Sequence, residues 1–327
     1  MDSAQLQNNM YSKSNAEKLL KKPMIVCLIA MICCALWGSA FPFIKIGYAL
    51  FEIGSGDTAS QILFAGIRFT IAGILVIAFG SVLSKKFLFP KKENIHRVCL
   101  LSLFQTILQY LFFYIGLSHT SGTKGSVINS TSTFFAVIVS CLVMKQERLN
   151  LQKILGCVIG FAGAVVINLS AGSAGGAISF LGEGLILLSS LSYAVSSSLI
   201  KRFSEKENTV TLSGYQFVLG GIVMMLCSFV FGGSITQISA KGVALLLYLG
   251  FLSAAAYTLW GILLKYNDVS RVAVFGFMTP VFGCIFSALF LGESLVNSTG
   301  KTIAALALVS VGIIIVNMNS KKKGNRI

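Results

Sequence analysis

The chain has 327 residues, 55% of them hydrophobic types and only 11% charged. A soluble domain carries about 25% charged residues, so too few remain here to coat a water-soluble fold of this length, and disorder is excluded with it. The formal net charge of +15 has two readings, a nucleic-acid partner or the basic cytoplasmic loops of a membrane protein.

A membrane-spanning helix needs about 20 mostly apolar residues. Ten segments approach or meet that length. They run over Met24–Ile44, Ile62–Leu83, Val98–Leu117, Ser126–Met144 and Ile154–Leu169 in the first half of the chain. The second half holds Gly182–Ile200, Gly214–Gly232, Val243–Leu264, Val272–Leu291 and Thr302–Met318. The connections are short, and none reads as a separate soluble domain. The first run resembles a signal peptide in length, but nine further spans follow it, which favours an uncleaved first helix.

The basic residues test this count. With the N-terminus placed inside, the outer segments hold only Lys45, Lys124, Lys241 and Lys301. Arg68 lies within the second span. The remaining 21 of the 26 Lys and Arg residues all fall on inner segments. An unbroken alternation of that kind predicts ten spans with both termini cytoplasmic. It also assigns the charge excess to topology, so no nucleic-acid partner is expected.

The two halves echo each other. A shift of 146 positions aligns Leu100-Leu101 with Leu246-Leu247, Thr133 with Thr279, and Glu147 with Glu293. Five helices per unit is an odd number, so the second copy enters the bilayer from the opposite side. Inverted repeats let a carrier exchange inward and outward shapes around one midplane site. The expected organisation is a cytoplasmic tail over 1–23, one five-helix unit over 24–170, a second over 179–318, and a basic tail over 319–327.

Three motifs add to this. The first span carries Trp37-Gly38-Ser39-Ala40-Phe41-Pro42, the second Arg68-Phe69 with Ala72, and the ninth Thr279-Pro280 followed by Leu291-Gly292-Glu293. In this order and placement the chain resembles the drug/metabolite transporter superfamily, in its ten-helix EamA-type branch, over residues 24–318. The first half departs from the second in having Phe134 at the place of Pro280, and Lys145-Gln146-Glu147 in place of Leu-Gly-Glu. The resemblance implies a transporter of small organic metabolites, more often an exporter. It also implies a central cavity lined by helices one, three, four, six, eight and nine.

Few residues can carry chemistry. No Asp or Glu lies in the middle of a span, so a central proton-trading acid and a metal-diphosphate enzyme site are both disfavoured. The eight cysteines form no CxxC pair and read as small apolar residues. There is no GxxxxGK[ST] loop, and neither His96 nor His119 has a metal-ligand partner at suitable spacing. No cofactor, metal or catalytic residue is expected, and the chain does not read as an enzyme.

The binding candidates are polar and aromatic. Gln105 and Gln109 share a helical face, as do Asn129 with Thr133 and Tyr257 with Trp260. Trp37 and Tyr193 occupy matching places in the first and sixth helices. On the resembling fold these would face one pocket; otherwise they make interhelical hydrogen bonds or belong to an interfacial aromatic belt. Arg68 is either a packing anchor bonded to neighbouring carbonyls or an attractor of a substrate carboxylate or phosphate. Pro42 and Pro280 are candidate hinges. Glu147 and Glu293 are candidate gates, or else caps and ion-pair partners at helix ends. Gly156, Gly160 and Gly163 form a small face suited to close packing within the chain or to a dimer seam.

The reading is an all-α integral membrane carrier in the cell membrane of a bacterium. It moves a small organic metabolite, an amino acid or a related compound, by alternating access. It works as a monomer or homodimer among membrane lipids. A lipid flippase and a non-transporting scaffold or receptor are the alternatives.

Overall fold

A computed structural model describes residues 15–120, 122–169, 179–291 and 299–318. Among them every regular element is helical. The ten long helices are α1 (Pro23–Leu50), α2 (Thr58–Ser84), α3 (Lys92–Ser118), α4 (Gly125–Val143), α5 (Leu151–Leu169), α6 (Phe180–Phe203), α7 (Thr209–Val230), α8 (Ala240–Tyr266), α9 (Val269–Leu291) and α10 (Thr299–Asn317). Eight are long and apolar enough to cross a membrane; α5 and α10 are shorter apolar helices.

Local signals set the helix ends. Pro23 stands at the start of α1, where its missing N–H costs nothing. Asp57, Asn208 and Ser239 accept hydrogen bonds from the first turns of α2, α7 and α8. The first helix runs beyond the expected Ile44 because the apolar sequence continues to Leu50. It also passes through Pro42 without a break in its helical assignment.

Hydrogen bonds define two ends of the bundle. At one end Asn267 donates to the Leu20 carbonyl (3.0 Å), Gln146 to the Ser198 carbonyl (2.9 Å), and Asn94 to Glu207 (2.8 Å). Arg271 reaches Asn317 (3.0 Å). This end therefore gathers the start of α1, the end of α10, and the α2–α3, α4–α5, α6–α7 and α8–α9 junctions. It is the basic end. At the opposite end Ser228 donates to the Ala59 carbonyl (2.7 Å), Ser60 accepts from the Ser234 N–H (3.0 Å), and Thr120 donates to Glu183 (2.7 Å). Successive helices thus alternate in direction, as the basic residues predict.

The principal helix pairs correspond when each helix number is raised by five. Helix α2 packs on α7 and α5 on α10; α1 packs on α8 and α9, while α6 packs on α3 and α4. Small residues permit the two self-paired crossings. A Cβ on Gly73 would lie 2.6 Å from the Gly214 carbonyl oxygen, and one on Gly221 2.6 Å from that of Gly66. On the other pair, a Cβ on Gly156 would meet Val316 at 2.4 Å, and one on Gly163 the Ala305 carbonyl at 2.8 Å. The glycine face of α5 is therefore covered by α10 and, at Gly160, by Phe277 of α9 in the same chain.

Four of the helices around the centre are irregular, α6 through a wide π turn at its start over Phe180–Gly184. Helix α3 contains a wide π turn over Leu103–Leu108. Helix α4 is interrupted at Ser130 and Thr131, between Gly122–Asn129 and Ser132–Ile138. Its positional counterpart α9 tightens to a 3₁₀ stretch over Val274–Phe277, three residues before Pro280. Pro280 lies in the first turn of the segment that follows, where a missing N–H is best tolerated. Phe134, in place of a second proline, packs edge-on against Phe161 at 5.2 Å.

Candidate binding cavity

A cavity of about 170 Å³ lies among α1, α2, α3, α4, α6, α8 and α9. Its wall comes from Trp37, Phe41 and Ile44 of α1, and from Gln109, Tyr110, Phe113 and Tyr114 of α3. Asn129 and three serines of α4 face Ser189 and Tyr193 of α6 across it. Ser253 and Tyr257 of α8, with Gly276, Thr279 and Pro280 of α9, complete it, and Arg68 enters from α2. Arg68 is ten residues from the start of α2, about 15 Å along the helix axis. The cavity therefore sits at mid-depth, displaced toward the end opposite the basic one.

Aromatic rings hold the wall in place. Trp37 meets Tyr257 edge-on at 5.1 Å and Trp260 at 4.9 Å. Tyr110 and Tyr257 share a hydroxyl–hydroxyl hydrogen bond of 2.5 Å between α3 and α8. Phe69 stacks on Phe217 at 5.4 Å. It also meets Tyr110 at 4.4 Å, and the Arg68 guanidinium lies 4.4 Å from its ring centroid. Such contacts orient rings beyond what their burial alone would do.

The expected residues divide. Trp37, Gln109, Asn129, Tyr193 and Tyr257 line the cavity. Gln105, Thr133 and Trp260 are buried and do not. The reason differs for each. Gln105 lies within the wide turn of α3, where four residues fall short of a full turn and rotate it off the face of Gln109. Thr133 lies beyond the break in α4, and its hydroxyl donates to the Ala273 carbonyl at 3.2 Å, tying α4 to α9. Trp260 is one helical turn below Tyr257, beneath Trp37. The sequence reading missed Tyr110, Phe113 and Tyr114, although their spacing puts three rings on one face of α3. It also missed the serines, which look like ordinary helix-packing residues.

Of the gate candidates, Glu147 lies apart from the cavity. Glu147 accepts from Lys153 at 2.5 Å and from the Ser270 N–H at 3.0 Å, and the Ser270 hydroxyl also donates to it. The carboxylate thus joins the α4–α5 connection to the start of α9 at the basic end. Burial works to raise its pKa, but the hydrogen bonds from Lys153 and Ser270 outweigh this and hold it below the usual value. Lys201 closes the same layer by donating to the Asn267 carbonyl (2.6 Å), with Asp268 3.6 Å away. Glu293 lies outside the described residues.

Comparison with known proteins decides what this bundle is. The EamA-like transporter family matches the chain twice, over residues 24–169 and 180–318. The chain belongs to the EamA-like transporter family. Among similar proteins is the "Uncharacterized transporter YvbV" of Bacillus subtilis (strain 168), 28% identical over 306 residues, covering 93% of this chain and 95% of the relative. Another is the "Probable amino-acid metabolite efflux pump" of Salmonella typhimurium, 26% identical over 301 residues, covering 88% and 93%. A solved crystal structure at 18% identity superposes with a TM-score of 0.74 over 91% of this chain and 98% of the other, which establishes likeness of fold. This EamA-family chain is therefore a multi-pass membrane protein of the transporter class, with a small-molecule substrate and a lipid environment.

Proposed function

We propose that the protein is a secondary carrier that moves a small organic metabolite across the cell membrane of a bacterium by alternating access. Ten spans form two inverted five-helix units, 24–170 and 179–318, with the basic end and both termini in the cytoplasm. The observation that carries this reading is the position of the cavity. It is built from helices of both units and displaced from a basic end that ion pairs and hydrogen bonds hold shut. The double family match and the correspondence of the principal helix pairs at every fifth helix support the inverted repeat.

Trp37, Gln109, Asn129, Tyr193 and Tyr257 contact the solute, while Gln105, Thr133 and Trp260 position them. Glu147 holds the cytoplasmic side closed and Glu293 is its counterpart outside. Pro42 and Pro280 mark where α1 and α9 yield as the units rock. The name of the Salmonella relative supports amino-acid metabolites as the first class to test, and export as the direction.

The test is flux. Purified protein reconstituted into liposomes is expected to exchange one or more members of a labelled panel of amino acids and related metabolites. Empty liposomes are the control. Absence of flux for the whole panel, with labelled lipid scrambled between leaflets, would establish a flippase in its place. Absence of both activities in folded protein would overturn the carrier reading and leave the scaffold.

A further inference from the structure

Arg68 lines the cavity with only 4% of its surface exposed. Among the described residues it is the only charged one in the cavity wall, with no Asp or Glu facing it there. Among the same residues it makes neither a salt bridge nor a hydrogen bond, and its Nε is buried without a partner. Its guanidinium is held by ring faces alone, with the Phe69 centroid at 4.4 Å and that of Tyr110 at 5.9 Å. A buried cation normally recruits a carboxylate or a set of carbonyls. Ring faces offset only part of its lost hydration. Two further donors or acceptors are left open nearby, the Trp37 indole N–H and the Gln109 Oε1.

Resting on the carrier reading, we infer that the solute is an organic monocarboxylate with a compact aromatic or branched apolar body, and that Arg68 binds its carboxylate. A guanidinium presents a planar fork of N–H donors that matches the two oxygens of a carboxylate. One arginine balances one negative charge, which disfavours a phosphate dianion. The rings of Trp37, Phe113, Tyr114 and Tyr257 suit an apolar body. At about 170 Å³ the cavity is small beside ordinary drug-sized pockets, which favours a compact solute. No described wall residue offers an ammonium group an ionic partner. An α-amino group is therefore dispensable, whereas the carboxylate is not.

The experiment is calorimetric binding to purified full-length protein, using two apolar bodies. For the first, the probes are indole-3-propionate, its amide and tryptamine; for the second, 4-methylpentanoate, its amide and isoamylamine. Benzylphosphonate is added as a dianion. The expected result for at least one body is that the acid binds about 10- to 100-fold more tightly than its amide, as a charge-assisted pair provides. The amine binds most weakly. Arg68→Gln brings the acid-to-amide ratio to about one, and Arg68→Lys keeps a reduced preference for the acid. If Arg68→Gln does not fold, the wild-type ratio and the lysine variant decide. The inference is overturned by equal binding of acid and amide, by no binding of any probe, or by tighter binding of the amine or the phosphonate. It is also overturned if Arg68→Gln keeps the preference for the acid. Acid-selective binding without flux in liposomes removes the carrier reading and keeps this one. Flux without acid selectivity does the reverse.

Discussion

Replacing Glu147 by Ala is expected to open the basic end. In the structure this carboxylate is 3% exposed and accepts from three donors, one on Lys153 and two on Ser270. The alanine variant leaves the Lys153 ammonium, itself only 11% exposed, with the Arg148 carbonyl at 2.8 Å as its remaining oxygen partner. Breaking a buried pair from one side costs about 3–5 kcal/mol. If that contact exists only in the form closed at the basic end, the closed form loses that amount relative to the open one. At 1.4 kcal/mol per factor of ten, the open population rises on the order of 100-fold or more. Native thiols provide the assay. Cys33 and Cys34 are fully buried in α1, with their Sγ atoms hydrogen-bonded to the Ala256 and Phe275 carbonyls. They lie between the cavity and the basic end. Alkylation at these two positions, followed by mass spectrometry, should accelerate markedly in Glu147→Ala and return toward the wild-type rate in Glu147→Asp. Unchanged labelling of both cysteines in folded Glu147→Ala, with unchanged flux, would refute the assignment of this layer as a gate.

The same carboxylate sets a pH dependence. Its pKa is lowered in the fold, so its stabilisation is complete above the ordinary Glu value of about 4.3 and is lost as pH falls below that toward the lowered one. Thermal melts across that range should show an acid limb that is shallower in Glu147→Gln. In the Tyr110–Tyr257 pair, either single Phe substitution leaves one buried hydroxyl without its partner and should cost about 1–3 kcal/mol, while the double variant recovers much of it. Melting temperatures of the three variants read this cycle directly. Gly73→Val places carbon 2.6 Å from the Gly214 carbonyl and 2.7 Å from the Val218 backbone nitrogen, where no side chain can move aside. It should cost about 1–3 kcal/mol or prevent folding. Gly56→Ala, which meets nothing within 4 Å, should leave the melting temperature unchanged.

Much of the architecture was legible because it follows from one-dimensional quantities. Runs of apolar residues mark helices, and the sides on which Lys and Arg accumulate mark their direction. The packing faces were partly legible too, since Gly156, Gly160 and Gly163 recur at helical spacing. What they pack against was not. A glycine face suits a second chain as well as it suits α10, and only the placement of Ala305 and Gly312 opposite it decides between them.

The site was readable to the extent that its helices are regular. Trp37, Tyr193 and Tyr257 lie on uninterrupted helical stretches, and ordinary periodicity carries them to the cavity. Gln105 and Thr133 lie where α3 widens and beyond the break in α4, and there a count of four residues no longer returns to the same face. Arg68 shows the division most clearly. The sequence by itself established that a single cation lies inside a span, because the remaining basic residues fall at span ends and in connections. It left open whether neighbouring carbonyls satisfy that cation. Burial against Phe69 and Tyr110, with no acidic group among the described wall residues, is a property of seven helices brought together in space. Charge and hydropathy add along the chain, so sequence reports them; the partner of a buried charge depends on which distant residues packing brings within reach, so only the tertiary structure could decide it.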